Sequence, residues 1–264
     1  MSDGHRRYQR GPFRPEQLRP GDSYELSQGH ALLCEPTGQD GTGPNGLGFA
    51  VLDSDPAVRR AGVDTGLALS ADTLRAPDVA VNFEAGDGTW ATSAPLAVEY
   101  AGKGQDEADL RTKIAELLAA GTRWVWVVRL VGPRRVEIYE AGVAMRTVGD
   151  DGTLTAPGVL GLPVPVRALY DRDAAHEVTL RNLLAAKGYG GLDAVRQEGR
   201  EEGREEGREE ALRSALKIAV EARGWRLDEQ DARRVDGCRD AEQMGAWIAR
   251  AVTAQTLAAV FTDG

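Results

Sequence analysis

Three short stretches decide the fold: Ala76–Val81 (APDVAV), Pro95–Gly102 (PLAVEYAG) and Glu107–Gly121 (EADLRTKIAELLAAG). In the first, Asp78 opens the run Val79-Ala80-Val81; in the second, Glu99 closes Leu96-Ala97-Val98. Apolar runs of this length read as short, largely buried strands, where a free carboxylate is costly. Two such strand ends side by side, each presenting a carboxylate, make a site for a hard divalent cation. In the third stretch Leu110, Ile114, Leu117 and Leu118 recur at helical spacing, and Gly121 is a suitable C-cap. Lys113 lies on that helix, and its stem is long enough to carry the ammonium back over the same sheet end. Phosphodiester hydrolysis needs a metal to lower the pKa of an attacking water and a cation to stabilise the growing negative charge. Asp78 with Glu99 supplies the first and Lys113 the second. Singly, each residue has a plainer use: Asp78 as a turn cap after Pro77, Glu99 at the end of an edge strand, Lys113 in solvent.

Working outward, Tyr24-Glu25-Leu26 and Ala31 to Cys34 predict a β-hairpin turning at Gln28-Gly29. TGQDGTGPNGLG (37–48) reads as a glycine-rich surface loop, since it has neither the GxxxxGK[ST] nor the GxGxxG order. PAVRRAGV (56–63) predicts a short helix and TGLALSAD (65–72) a strand. Trp124 to Val128 (WVWVV) is apolar at every position, so it predicts a central strand buried on both faces, with both tryptophans in the core. Val136 to Tyr139 is the next strand, residues 153–171 are proline-punctuated extended chain, and a helical tail begins near Ala174.

At 264 residues and 42% apolar content the chain can bury a full core, one α/β domain plus a smaller C-terminal piece. No run approaches the roughly 18 apolar residues of a membrane span, and the N-terminus has no apolar signal core, so a cytoplasmic protein without membrane contact is expected. Cys34 and Cys238 have no CxxC or histidine companions, which argues against structural zinc and predicts reduced, buried thiols. The three histidines show no metal-ligand spacing. A net charge of −9 is unfavourable for coating nucleic acid with the whole surface, so any phosphate contact must be local. Arg6, Arg7, Arg10, Arg14 and Arg19 form one basic patch in the first twenty residues, which otherwise read as a disordered, solvated arm. Only four basic residues are lysines, and Lys103, in a glycine-flanked loop, is the rival to Lys113.

The stretch from about residue 21 to 172 resembles the Uma2 family of the PD-(D/E)XK nuclease superfamily. The resemblance rests on Tyr24-Glu25-Leu26, Pro77-Asp78-Val79, Val98-Glu99-Tyr100, then Asp109, Lys113, Gly121, Trp126-Val127-Val128 and Pro157 to Leu162. It implies an α/β fold, a restriction-endonuclease-like mixed sheet flanked by helices, here with an α-helical C-terminal tail. It further implies Mg²⁺ (Mn²⁺ as a substitute) bound by Asp78 and Glu99 with the Tyr100 main-chain carbonyl. Lys113 would be the active-site lysine, moved onto the helix from its usual strand position, which is Ala101 here. Glu25 would be the accessory acid. The implied activity is a Mg²⁺-dependent nuclease, with DNA the expected substrate. The alternative is a catalytically inactive nuclease-fold protein acting as a binding or assembly module, favoured if Trp124 or the glycine-rich loop blocks the site.

The tail from about Leu180, above all LKIAVEARGWRLDEQDARRVDGCRDAEQMGAWIARAVTA, resembles that of transposase-like recombination-promoting nucleases. Within it, EGREEGREEGREE (198–210) sets Arg200 and Arg204, Glu201 and Glu205 as like-charge neighbours on a helix, and Gly199, Gly203 and Gly207 each cost about 1 kcal/mol against alanine. Two readings stay open: a glycine stripe that lets a second helix approach as in a coiled coil, giving a homodimer or higher oligomer, or a solvated linker. Leu212, Leu216 and Ala219, and then Met244, Trp247, Ile248 and Val252, predict apolar helix faces of a small module. The expected organisation is a flexible basic arm (1–20), a nuclease-like domain (21–175), a helical linker with Arg-Glu-Glu-Gly repeats (176–210) and a helical module (211–264).

Overall fold

The hairpin forms as its sequence dictates: β1 (Tyr24–Ser27) and β2 (His30–Leu33) pair antiparallel about Gln28 and Gly29, both at positive φ (48° and 77°). A two-residue turn of that hand matches the twist of the flanking strands. The computed structural model describes residues 11–34 and 39–262, so Arg6, Arg7 and Arg10 of the basic patch lie outside the described residues. The rest of the arm is held: Phe13 N–H donates to Gly29 O at 2.8 Å, Trp90 Nε1 donates to Pro15 O at 2.9 Å, and Pro15 is buried.

Most of the glycine-rich stretch is a helix, α1 (Gln39–Asp53), where a loop was expected. Packing overrides propensity, because Val51 and Leu52 are fully buried in the core and Leu47 and Phe49 pack against it. Gly48 has a positive reason to be glycine: a Cβ there would collide with the Tyr100 hydroxyl. The helix expected over 56–63 is replaced by a turn and a strand, β3 (Ala61–Val63). The Asp55 carboxylate causes this, accepting from the N–H groups of Ala57, Gly161 and Leu162, each at 2.9 Å, and so holding the turn against a distant loop.

The chain continues through β4 (Leu67–Ser70), β5 (Thr73–Arg75), β6 (Val79–Val81), β7 (Glu84–Ala85), β8 (Ala91–Ser93) and β9 (Leu96–Ala101) to α2 (Glu107–Ala119). Asp106 caps α2, its side chain accepting from the N–H groups of Ala108 and Asp109. Next come β10 (Trp124–Arg129), β11 (Arg135–Glu140), β12 (Val143–Gly149), β13 (Thr153–Leu154), β14 (Val164–Pro165) and α3 (Arg172–Ala186). Two six-stranded sheets result, in the orders β2-β1-β5-β4-β8-β7 and β12-β11-β10-β9-β6-β3, with β13 and β14 paired apart. The second sheet is mixed, β9 and β10 running parallel and its other neighbours antiparallel. Its faces alternate as expected. Val98, Trp124 and Trp126 join the core under α1 and α3, while Ala97, Val125 and Val127 pack with Leu110, Ile114 and Leu117 of α2. Both tryptophans are core residues. Asn182 on α3 is fully buried, its amide donating to Val51 O and Ser54 Oγ, both at 3.2 Å.

The chain divides between Tyr189 and Gly190 into two compact units, so α3 belongs to the first. The second unit contains α4 (Leu192–Ala222), α5 (Glu229–Gly237) and α6 (Ala241–Thr253). Its core gathers Leu216, Val220, Val235, Met244, Trp247 and Phe261, the last two ring edge to ring face at 5.2 Å. Val252, expected on the apolar face of α6, points outward instead. The repeat lies within α4 as continuous helix, and a Cβ at Gly199, Gly203 or Gly207 would meet nothing. The cysteines are not buried as expected: Cys34, next to the last residue of an edge strand, is exposed and Cys238 half-exposed, both free thiols. No helix among the described residues is long and apolar enough to cross a membrane.

Candidate active site

The chain leaves the first sheet at Arg75 and enters the second at Val79 through Ala76-Pro77-Asp78, and the candidate residues converge on that corner. Glu99 is on the face of β9 that looks at α2, as Ala97 and Ala101 are. Lys113 faces it from α2, one residue before the core side chain Ile114. Its ammonium is buried, donating to Ala76 O at 2.7 Å, Glu25 Oε1 at 3.0 Å and Glu99 Oε2 at 3.1 Å, with Glu99 Oε1 at 2.9 Å. Glu25 arrives from β1 in the other sheet. Asp78 sits beside Glu99 along the β6–β9 edge: its Oδ2 accepts from Tyr100 N at 2.6 Å and its Oδ1 from Asn45 Nδ2 at 3.3 Å. Because the N–H and C=O of one strand residue face the same neighbour, the Tyr100 carbonyl also faces the Asp78 side. The structure thus gathers Glu25, Asp78, Glu99, Tyr100 and Lys113. Lys103 stands apart in an exposed turn.

Burial raises the Glu99 carboxyl to about 8; Lys113 pulls it down and Asp78 pushes it up. Asp78 is raised by burial too, against the pull of Lys113 and of the Tyr100 N–H. Burial alone would lower Lys113, but Glu99, Glu25 and Asp78 outweigh it and hold the ammonium above the ordinary lysine range. A carboxyl raised in the folded state stabilises the fold below its unfolded pKa, and that contribution is lost as pH climbs through the folded value. In EDTA the thermal midpoint should therefore fall between about pH 5 and pH 9, and Glu99→Gln should flatten the fall. Equal slopes for both proteins would show that Glu99 does not hold the proton.

Sequence reasoning missed Arg75, Glu116 and Asn45. Arg75 has no exposed surface and is paired with Glu25, Asp109 and Glu116. A signal existed: Asp109, Lys113 and Glu116 follow one another at helical spacing, so α2 carries a charged stripe beside its apolar one. Asn45 was hidden by the loop reading of its segment. Trp124 pairs with Leu96, at the far end of the strand from Glu99, and does not obstruct the site.

No family model and no curated protein matches the chain. Among solved structures it is similar to a candidate nuclease of the DUF820 family from Anabaena variabilis, with a TM-score of 0.52 and 14% sequence identity over 61% of this chain and 96% of that one. That likeness shows the fold, a nuclease-like α/β arrangement.

Proposed function

We propose that this chain is a Mg²⁺-dependent nuclease of the Uma2 kind that hydrolyses phosphodiester bonds, with DNA as its substrate. The observation that carries the reading is the buried Lys113 ammonium against Glu99, with Asp78 adjacent across the strand pair. Among the described residues no group of three or more His, Cys, Asp or Glu side chains is arranged to hold a metal ion. The donors fit Mg²⁺ nonetheless, since that ion binds through one or two carboxylates and keeps several waters. Asp78, Glu99 and the Tyr100 carbonyl are hard oxygen donors, and the buried Asn45 amide oxygen beside them has no hydrogen-bond partner. Mg²⁺ held there would lower the pKa of a bound water and neutralise phosphate oxygens. Glu99 must give up its proton to serve as a ligand, so metal affinity should rise with pH. Lys113, kept protonated by its carboxylates, acts as a charge stabiliser and not as a base.

The test is cleavage of plasmid and single-stranded DNA with Mg²⁺ or with EDTA. A second reading, a nuclease-fold binding module, draws on the ion pair by which Lys113 already engages Glu99. Substrate binding without cleavage under any divalent ion would favour it.

The exposed glycine stripe of α4 supports a homodimer through the C-terminal helices, since a helix so poor in intrinsic stability gains order from a partner. Raising salt should weaken the dimer by screening Arg–Glu contacts, and a chain ending at residue 189 should be monomeric. Light scattering of a full chain that is monomeric at low salt would leave the repeat as a linker.

A further inference from the structure

Arg75 is fully buried, and the hydrolytic scheme above gives it no task. Its guanidinium reaches three carboxylates: Nη1 to Glu25 Oε2 at 3.0 Å, Nε to Glu116 Oε2 at 2.5 Å and Nη2 to Asp109 Oδ1 at 3.3 Å. Glu116 is held in turn by Ser27 Oγ at 2.5 Å, so β1, β5 and α2 are tied together around one side chain. A simple structural ion pair needs one carboxylate, and desolvating this many charges is tolerated only when their geometry is fixed.

The consequence falls on Glu25. Arg75 occupies its Oε2, leaving Oε1 to accept from Ala76 N at 3.1 Å and from Lys113 at 3.0 Å. Lys113 therefore meets one oxygen of Glu25 from one direction. Its three protons then have three acceptors, Glu25 Oε1, Ala76 O and Glu99, and the ammonium is fully specified. We infer that Arg75 is a positioning residue for Lys113, acting through Glu25: by holding Oε2 it keeps the carboxylate turned so that the ammonium stays on Glu99. Without the fork, Glu25 can offer both oxygens to Lys113 and draw it away. The effect on rate rests on the proposed nuclease activity; the effect on the ammonium does not.

The chain has four lysines, Lys103, Lys113, Lys187 and Lys217, so ¹³Cε-lysine labelling of the full-length protein gives four NMR signals, with Lys113 assigned by its loss in Lys113→Met. Arg75→Lys keeps the charge but loses the fork; it also adds a fifth lysine signal, identified as the extra one that remains in Arg75→Lys/Lys113→Met. The Lys113 signal should then shift, while those of Lys103, Lys187 and Lys217 stay in place. On plasmid DNA kcat should fall at least tenfold with KM and Mn²⁺ affinity within twofold. Glu116→Gln, which retains Arg75 but loosens its grip, should move the Lys113 signal the same way by less, and it decides the matter if Arg75→Lys does not fold. A folded variant whose Lys113 signal matches the parent's overturns the proposal. Because the signal is read without substrate, a parent chain that cleaves nothing defeats the nuclease reading alone.

Discussion

Asp78→Ala and Glu99→Ala should each abolish divalent-ion binding and lower cleavage by about a thousandfold, since a bound metal would supply several kcal/mol of charge stabilisation and each 1.4 kcal/mol is tenfold in rate. Both variants should fold, and in EDTA at alkaline pH Asp78→Ala should be the more stable of the two, because Glu99→Ala also takes a buried partner from Lys113. Two carboxylates raised by burial on adjacent strands repel one another when ionised, and removing either relieves that repulsion. Calorimetric titration with Mn²⁺ checks the first statement and thermal melts the second. Undiminished Mn²⁺ binding by both variants would eliminate the proposed site.

Lys113→Ala separates the lysine's task from the metal's. Cleavage should fall by about a hundred- to a thousandfold, the loss seen when one preorganised donor to a developing negative charge is removed. Mn²⁺ binding should be retained or strengthened, because the ammonium that shares Glu99 is gone. The variant should also melt lower, since Glu25 loses a buried partner and is left with Arg75 and the Ala76 N–H. Lys103→Ala, in an exposed turn, should change little. If Lys103→Ala were the damaging substitution, the helix-borne site would be wrong.

How much of this was legible depended on which forces spoke locally. Leu96-Ala97-Val98 and Trp124 to Val128 announce buried strands because burial on two faces leaves no polar position, and α2 announces itself through Leu110, Ile114 and Leu117. The placement of Asp78, Glu99 and Lys113 at one corner followed from those elements. α1 was not legible. Gly41, Gly43, Gly46 and Gly48 argue against a helix locally, and only the packed structure shows that Val51 and Leu52 fill the core while Tyr100 needs the space at Gly48. Residues 56–63 failed for a similar reason: the Asp55 carboxylate bonds to Gly161 and Leu162, more than a hundred residues away, and no window of sequence contains that contact. Arg75 closes a short strand and looks like an ordinary surface residue until three carboxylates from two other elements surround it.

Lys113 and Glu25, whose contact centres the site, are 88 residues apart in sequence and come from different layers, β1 in the first sheet and α2 packed on the second. Such a contact closes a long loop, and chain entropy delays it until the shorter-range pairings have formed. Asp78, Glu99 and Lys113 belong to the second sheet and its helix, so it is Glu25 that joins them only when both sheets have met. In a chain whose sheets had not yet met, the Lys113 ammonium would lack Glu25, so the proposed site would be complete only in the folded protein.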